Sequence, residues 1–371
     1  HGRKTATPLV KIFKIIDRYI IGKFLGTFFL TIALILAIAI VFDISEKIDD
    51  FITRGASTRE IIIDYYLNFV VFYGNLFSSM IVFIATIFFT SRMTSNTEIV
   101  AILTGGVSFR RMMFPYFVSA TIIALISFFL SHFVIPYTNV SRLEFQHSYI
   151  DKKEDERFKN IHRQIKPGHI IYFENYNTKR FSGYHFTYEI IEGGKLVSKL
   201  KADFIRLDTA TNEWVLDNYD LRTIDEEGKE HLEQGRKLRR EFDFEAMDIV
   251  PRLYTVEMMN TPELNEFIEA ERIRGSENIN HYLIQKYQRT SWPFATYILV
   301  LIGVSISSRK TRGGLGLNVA IGLVLCVTYI FFMQISTTFA TVGSMSPLLA
   351  VWTPNILFAG IAAYLYYIAP K

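Results

Sequence analysis

Few residues in this 371-residue chain could do chemistry, and they do not form a catalytic set. Glu98 stands in the stretch Thr94-Ser95-Asn96-Thr97-Glu98-Ile99-Val100-Ala101-Ile102-Leu103-Thr104-Gly105-Gly106. Ile99, Ile102 and Leu103 follow it at i, i+3, i+4 spacing, which predicts a short helix over about residues 95–105 with one apolar face. Ser95 is its expected cap and Gly105 its expected stop. Two readings of Glu98 stand together: it closes a Ser-x-x-Glu capping box, or it is the anionic contact of a helix that docks into a groove of another protein. The second group is Lys47, four residues after Asp43, with Arg54 and Arg59 beyond. A cation at the end of an apolar run sits at headgroup level and attracts anionic groups. The competing reading is an interfacial lysine paired along its helix with Glu46 or Asp50. Asp49, Asp50 and Glu60 lower the potential around Arg54 and Arg59, which makes those two the weaker cations.

The absences narrow the chemistry further. The sequence has no Gly-x-x-x-x-Gly-Lys-Ser/Thr loop, so it is not expected to hydrolyse ATP. It has no His-Glu-x-x-His, no Gly-x-Ser-x-Gly and no Gly-x-Gly-x-x-Gly after a strand. Cys326, the only cysteine, lies in an apolar run, which excludes a disulfide and a cysteine-ligated metal. No cofactor is expected. The net charge of +4 is mild, and no basic cluster is interleaved with aromatics, so nucleic acid is not an expected partner. A transporter of this composition, lacking paired carboxylates in its apolar runs, needs a motor in another chain.

The elements that carry these residues follow from where charge is missing. Hydrophobic residues make up 50% and charged residues 20%, and the two classes are segregated along the chain. Residues 24–42, 65–91, 112–141 and 290–308 contain no Asp, Glu, Lys or Arg, and neither does 313–370. A crossing needs about 20 apolar residues, so the last stretch is long enough for two, split by the turn signals at Gly343 and Pro347. Six membrane helices result. Lys11, Lys14, Arg18 and Lys23 precede the first; Arg92, Arg110 and Arg111 lie between the second and third; Arg309, Lys310 and Arg312 lie between the fourth and fifth. The positive-inside bias places these loops and both termini in the cytoplasm. Residues 1–10 differ from the rest and are set aside as a tag remnant, and no cleavable leader is expected.

The outward segment reads as β. Ile170-Ile171-Tyr172-Phe173, the run from Tyr184 to Ile191 and the run from Lys199 to Ile205 are rich in β-branched and aromatic residues. Turn signals at 192–195, 208–212 and 225–229 separate them. Thr261-Pro262-Glu263 has the form of a helix start with Thr261 at N-cap, and Gly275 ends that helix. Within the spans, Asn68, Asn75, His132 and Gln334 are read as partners for neighbouring helices. Gly303, Gly322 and Gly360 are read as points of close helix approach. The domain plan is therefore helices one to three over 11–140, a soluble β domain over 141–260, and a linker helix with helices four to six over 261–371.

The chain resembles the LptF/LptG-type permeases of the lipopolysaccharide exporter. The resemblance is carried by Ile16-Asp17-Arg18-Tyr19-Ile20, Val41-Phe42-Asp43, Thr97-Glu98-Ile99-Val100 with Gly105-Gly106, Lys201-Ala202-Asp203-Phe204, Trp214-Val215-Leu216 and Pro293. It covers nearly everything after residue 10. The resemblance implies an α-helical membrane protein with a jelly-roll insert, and a permease that extracts lipopolysaccharide. It also implies a dimeric cytoplasmic ABC ATPase bound through Glu98, Ile99, Ile102 and Leu103, and a paralogous or identical permease as mate. The jelly roll would join a periplasmic bridge of the same fold. Lys47, with Arg54 behind it, would meet the lipid phosphates. An adaptor or sensor whose β domain binds an envelope ligand without an ATPase is the alternative.

Overall fold

The computed structural model describes residues 14–150, 157–178, 180–225, 227–244, 249, 256–309 and 314–369. The proposed tag remnant and the basic residues Lys11, Lys310 and Arg312 lie outside them. The chain forms two compact units, one of 1–150 with 283–371 and one of 151–282.

In the first unit, α1 (Ile15–Thr53) is one unbroken helix of 39 residues. A three-residue turn α2 (Thr58–Glu60) opens on a capping box between Ser57 and Glu60. It leads through a widened turn, Ile61–Tyr66, into α3 (Leu67–Leu76). α4 (Ser78–Ser95) and α5 (Glu98–Thr104) follow. α6 (Phe109–Phe129) continues through a second widened turn, Leu130–Val134, into α7 (Ile135–Tyr149). Pro136 near the start of α7 has no amide hydrogen to give the preceding turn, and the looser turn absorbs the lost bond. Counting the α6–α7 run as one, six helices among the described residues are long and apolar enough to cross a membrane. The run predicted as one second span is broken at Phe77, where the α3 carbonyls of Tyr73 and Asn75 take its amide.

α4 is the most buried of the six. Ile81, Val82, Ala85 and Phe89 pack with Phe24, Phe28 and Tyr116, while Phe83 and Ile87 pack with Leu299, Ile302 and Phe358. Two glycines allow this closeness. A Cβ at Gly303 would lie 2.8 Å from Thr86 Cγ2, and one at Gly322 would overlap the Ile87 side chain. Gly360, expected to act alike, has nothing within 4 Å of a Cβ. Gly343, at φ +83°, makes the turn between the last two helices.

The second unit holds a six-stranded antiparallel sheet in sequential order: β1 (Arg157–Lys166), β2 (His169–Asn177), β3 (Ser182–Glu192), β4 (Lys195–Asp208), β5 (Glu213–Ile224) and β6 (Glu230–Arg240). The β3–β4 hairpin turns on Gly193 and Gly194, both at positive φ as a type I′ turn requires. Ile171, Phe173, Phe186, Tyr188, Leu200, Trp214 and Leu216 are buried on its inner face. α8 (Thr261–Ile273) is capped by Asn260, not Thr261, because Asn260 and Glu263 exchange both capping bonds. Gly275 ends it at φ +64°, as expected. Glu271 of α8 is fully buried against Arg163 of β1 at 2.5 Å.

The remaining helices are α9 (Ile279–Ser307), α10 (Gly314–Thr341) and α11 (Pro347–Tyr367). The boundaries between units fall at 150 and 282, against 141 and 260 in the domain plan, so all of α7 goes with the helical unit and α8 with the β unit. The return of charge marks the edge of the apolar medium and not the end of a helix. Arg142 illustrates this: it is buried within α7, its guanidinium 4.4 Å from the Phe72 ring centroid.

Candidate functional site

The first cluster lies where α4, α5 and α6 meet the start of α1. Helix α4 runs through Ser95, so Ser95 cannot cap α5, and the Ser-x-x-Glu box does not form. The N-cap is Thr97, at φ 62° and without a side-chain cap bond. A β-branched residue in the left-handed region is strained by about 1–3 kcal/mol. That conformation turns the chain sharply between the two helices. Glu98 is freed from capping and accepts two bonds from elsewhere, one from the Tyr19 hydroxyl at 2.9 Å and one from Asn96 Nδ2 at 3.1 Å. Gly105 closes α5 as expected.

The apolar side of α5 faces its own chain. Ile99 is fully buried in the cluster that contains Ile20, Phe24 and Phe109, and Ile102 and Leu103 are half-buried against it. The surface α5 offers to the outside consists of Val100, Ala101 and Thr104, with Glu98 at one end. One turn along, Arg111 of α6 grips Asp17 with both arms of its guanidinium, at 2.7 and 2.6 Å. Asp17 is almost fully buried and also accepts the Lys14 amide, so it both caps α1 and ties it to α6. Thr94 anchors the other side by donating to the Ser307 carbonyl of α9 at 2.6 Å.

The second cluster surrounds Lys47 near the other end of α1. Its ammonium donates to Asp43 at 2.5 Å and to the Tyr65 hydroxyl at 2.6 Å, and the Tyr66 hydroxyl donates to Asp43 at 3.1 Å. The rings of Phe51, Tyr65, Tyr66, Phe69 and Phe145 pack around them. Lys47 thus has a carboxylate partner one turn away, though Asp43 and not Glu46 or Asp50. Arg54 is the C-cap residue of α1, its amide bonded to the carbonyls of Asp50 and Ile52, with a half-exposed side chain.

The third feature is the inner face of the β sheet. Phe242 and Phe244, just after β6, stack at 5.1 Å between centroids. Phe242 lies against Phe186 and Tyr188, and Phe244 against Trp214. Lys166 bonds Asp243 between them at 2.5 Å and holds that carboxyl below the usual carboxylate range. Sequence reasoning missed Tyr19, Arg111, Arg142 and this aromatic pair. The signal available for the pair was alternation, Glu241-Phe242-Asp243-Phe244, too short to read as a strand.

Over residues 18–368 the chain matches the family described as lipopolysaccharide export system permease LptF/LptG. The chain belongs to the LptF/LptG family. Comparison with curated proteins finds no match. LptF/LptG proteins are transport permeases, not enzymes, and this LptF/LptG chain is a multi-pass membrane protein of lipopolysaccharide export.

Proposed function

We propose that this chain is the membrane subunit through which a separate, dimeric cytoplasmic ABC ATPase drives extraction of lipopolysaccharide from the inner membrane. The single observation that carries the reading is α5. It is a seven-residue helix braced against α1, α4 and α6, with Glu98 held at one end and Val100, Ala101 and Thr104 open to a partner. Under this reading α5 seats in a groove of the ATPase, Glu98 meets a basic residue there, and Ile99, Ile102 and Leu103 act from inside as the wedge that passes movement to the bundle. A paralogous or identical permease completes the cavity. Lys47 and Arg54, at the far end of α1, face the outer leaflet and meet the lipid phosphates. The β domain lies in the periplasm, shelters acyl chains on its apolar face, and passes the lipid to a bridge protein of similar fold. Shelter is needed because each methylene left in water costs about 0.8 kcal/mol.

The test is Glu98→Ala in the chain purified with its co-expressed ATPase and reconstituted with lipopolysaccharide. The expected result is loss of lipid extraction at normal membrane insertion. Normal assembly together with normal extraction would overturn the coupling role.

A further inference from the structure

Helix α1 connects the two clusters as one rod. It runs without a break from Ile15 to Thr53. At 1.5 Å per residue the 28 positions between Tyr19 and Lys47 span roughly 42 Å, the full depth of a bilayer with its headgroups. Both ends of the rod are fastened by side chains. At the α5 end, Tyr19 donates to Glu98 and Asp17 is clamped by Arg111. Just beyond them the same helix is embedded again, since Ile20 and, four residues on, Phe24 share a buried cluster with Ile99. At the far end, Asp43 and Lys47 of α1 are bonded to Tyr65 and Tyr66.

On these observations we infer that Tyr19 is a positioning residue that fastens Glu98 to α1, so that displacement of α5 is delivered along α1 to the Lys47 cluster. The inference rests on the coupling role proposed for Glu98 and adds the route the movement takes. The physical warrant is continuity. A helix with an intact hydrogen-bond ladder shifts as a body, and each fastening is a charged or charge-assisted contact, stronger than a neutral one. The connection from α4 into α5, by contrast, passes through Asn96 and the left-handed Thr97, an irregular elbow that redirects the chain. Tyr19 is also suited to a working contact. It is 43% exposed, so Tyr19→Phe removes its bond to Glu98 without stranding a buried group. Asp17, nearly fully buried, is the permanent fastening beside it.

The test compares Tyr19→Phe, Arg111→Lys and Glu98→Ala in the full chain reconstituted with its ATPase and purified lipopolysaccharide. Three quantities are read: ATP hydrolysis, lipid extracted per ATP, and the ATP-dependent change in lipid photo-crosslinking from a probe at position 48, next to Lys47. With Tyr19→Phe, hydrolysis should stay within about twofold while extraction per ATP falls about tenfold, the weight of one hydrogen bond to a charged group. The ATP-dependent crosslinking change should shrink in step. Arg111→Lys, which keeps the charge and loses the two-armed geometry, should show the same pattern more weakly. If Glu98→Ala abolishes extraction while Tyr19→Phe and Arg111→Lys both leave extraction per ATP unchanged, the α1 route is wrong and the coupling role survives. If Tyr19→Phe instead loses ATPase assembly and hydrolysis together, Tyr19 belongs to the docking surface and the inference fails. If Glu98→Ala is itself without effect, the coupling role fails and the inference with it.

Discussion

At the scale of single residues, the pair Lys166–Asp243 gives the sharpest test of how the β domain closes its apolar face. Lys166 lowers the Asp243 carboxyl below its ordinary value, so the contact is worth most when the carboxylate is charged. A folded-state value below the unfolded one stabilises above the ordinary carboxylate range and is lost as pH falls through the depressed value. Amide exchange over residues 241–244, taken relative to the intrinsic rate at each pH, should therefore be slow at neutral pH and speed up on acidification below about pH 4. In Asp243→Asn it should be fast already at neutral pH, with little further change. His169 also titrates beside this pair, its value pushed down mainly by burial, and His169→Gln separates the two contributions. Flat exchange in the parent protein would show that the aromatics alone hold the segment. None of these pairings was visible in the sequence. Asp17 and Arg111 are 94 positions apart, and Lys166 and Asp243 are 77 apart. A charge pattern read along the chain finds partners at helical spacing only. It placed Lys47 near Glu46 and Asp50, whereas its partner proved to be Asp43, itself at i−4, with a tyrosine 18 residues away.

At the scale of elements, spans were legible because exclusion of charge from an apolar medium is severe, about 2.5–3.5 kcal/mol for one charge at a helix centre. The break at Phe77 was not legible, since it costs no charge and involves no proline. β2, β3 and β4 were found from their β-branched and aromatic runs. β6 was missed because Glu230–Arg240 is polar on both faces, as an exposed edge strand is expected to be. α5 was legible in extent, yet the partner of its apolar stripe was not. Periodicity tells that a face is buried, not by what, and here Ile99 is buried by the bundle itself. The same bundle gives an element-scale prediction. The approach of α9 to α4 depends on Gly303, where a methyl group would meet Thr86 Cγ2 at 2.8 Å and Phe83 at 3.4 Å. Thr86 cannot swing away freely, being β-branched and bonded to the Val82 carbonyl at 2.7 Å. Gly303→Ala should lower stability by about 1–3 kcal/mol, the cost of overpacking. Gly360→Ala, with open space around it, should be nearly neutral. Thermal unfolding of the detergent-purified variants decides between them, and equal midpoints would show that α9 can slide on α4 at no cost.

At the scale of the whole molecule, the functional reading depends on which side of the membrane each cluster occupies. The α5 cluster and the Lys47 cluster lie near opposite ends of α1, so a single orientation fixes both. Loop charge supplies the orientation. Among the described residues, Lys14, Arg18, Lys23, Arg92, Arg110, Arg111 and Arg309 all flank the ends of helices on the α5 side. Each resists transfer across the bilayer, and the proposed orientation accordingly keeps this side in the cytoplasm. Cys326 makes the test clean. It is buried among Leu299, Tyr329 and Phe358, so Cys326→Ala removes the one native thiol and leaves a small cavity. Single cysteines introduced at Lys229, in the turn before β6, and at Thr104, on the open face of α5, then report the two sides. A membrane-impermeant maleimide added to spheroplasts should label position 229 at once and position 104 only after lysis. The reverse pattern would put Glu98 out of reach of any cytoplasmic ATPase and Lys47 in the wrong leaflet, and the coupling route along α1 would then have no source of force.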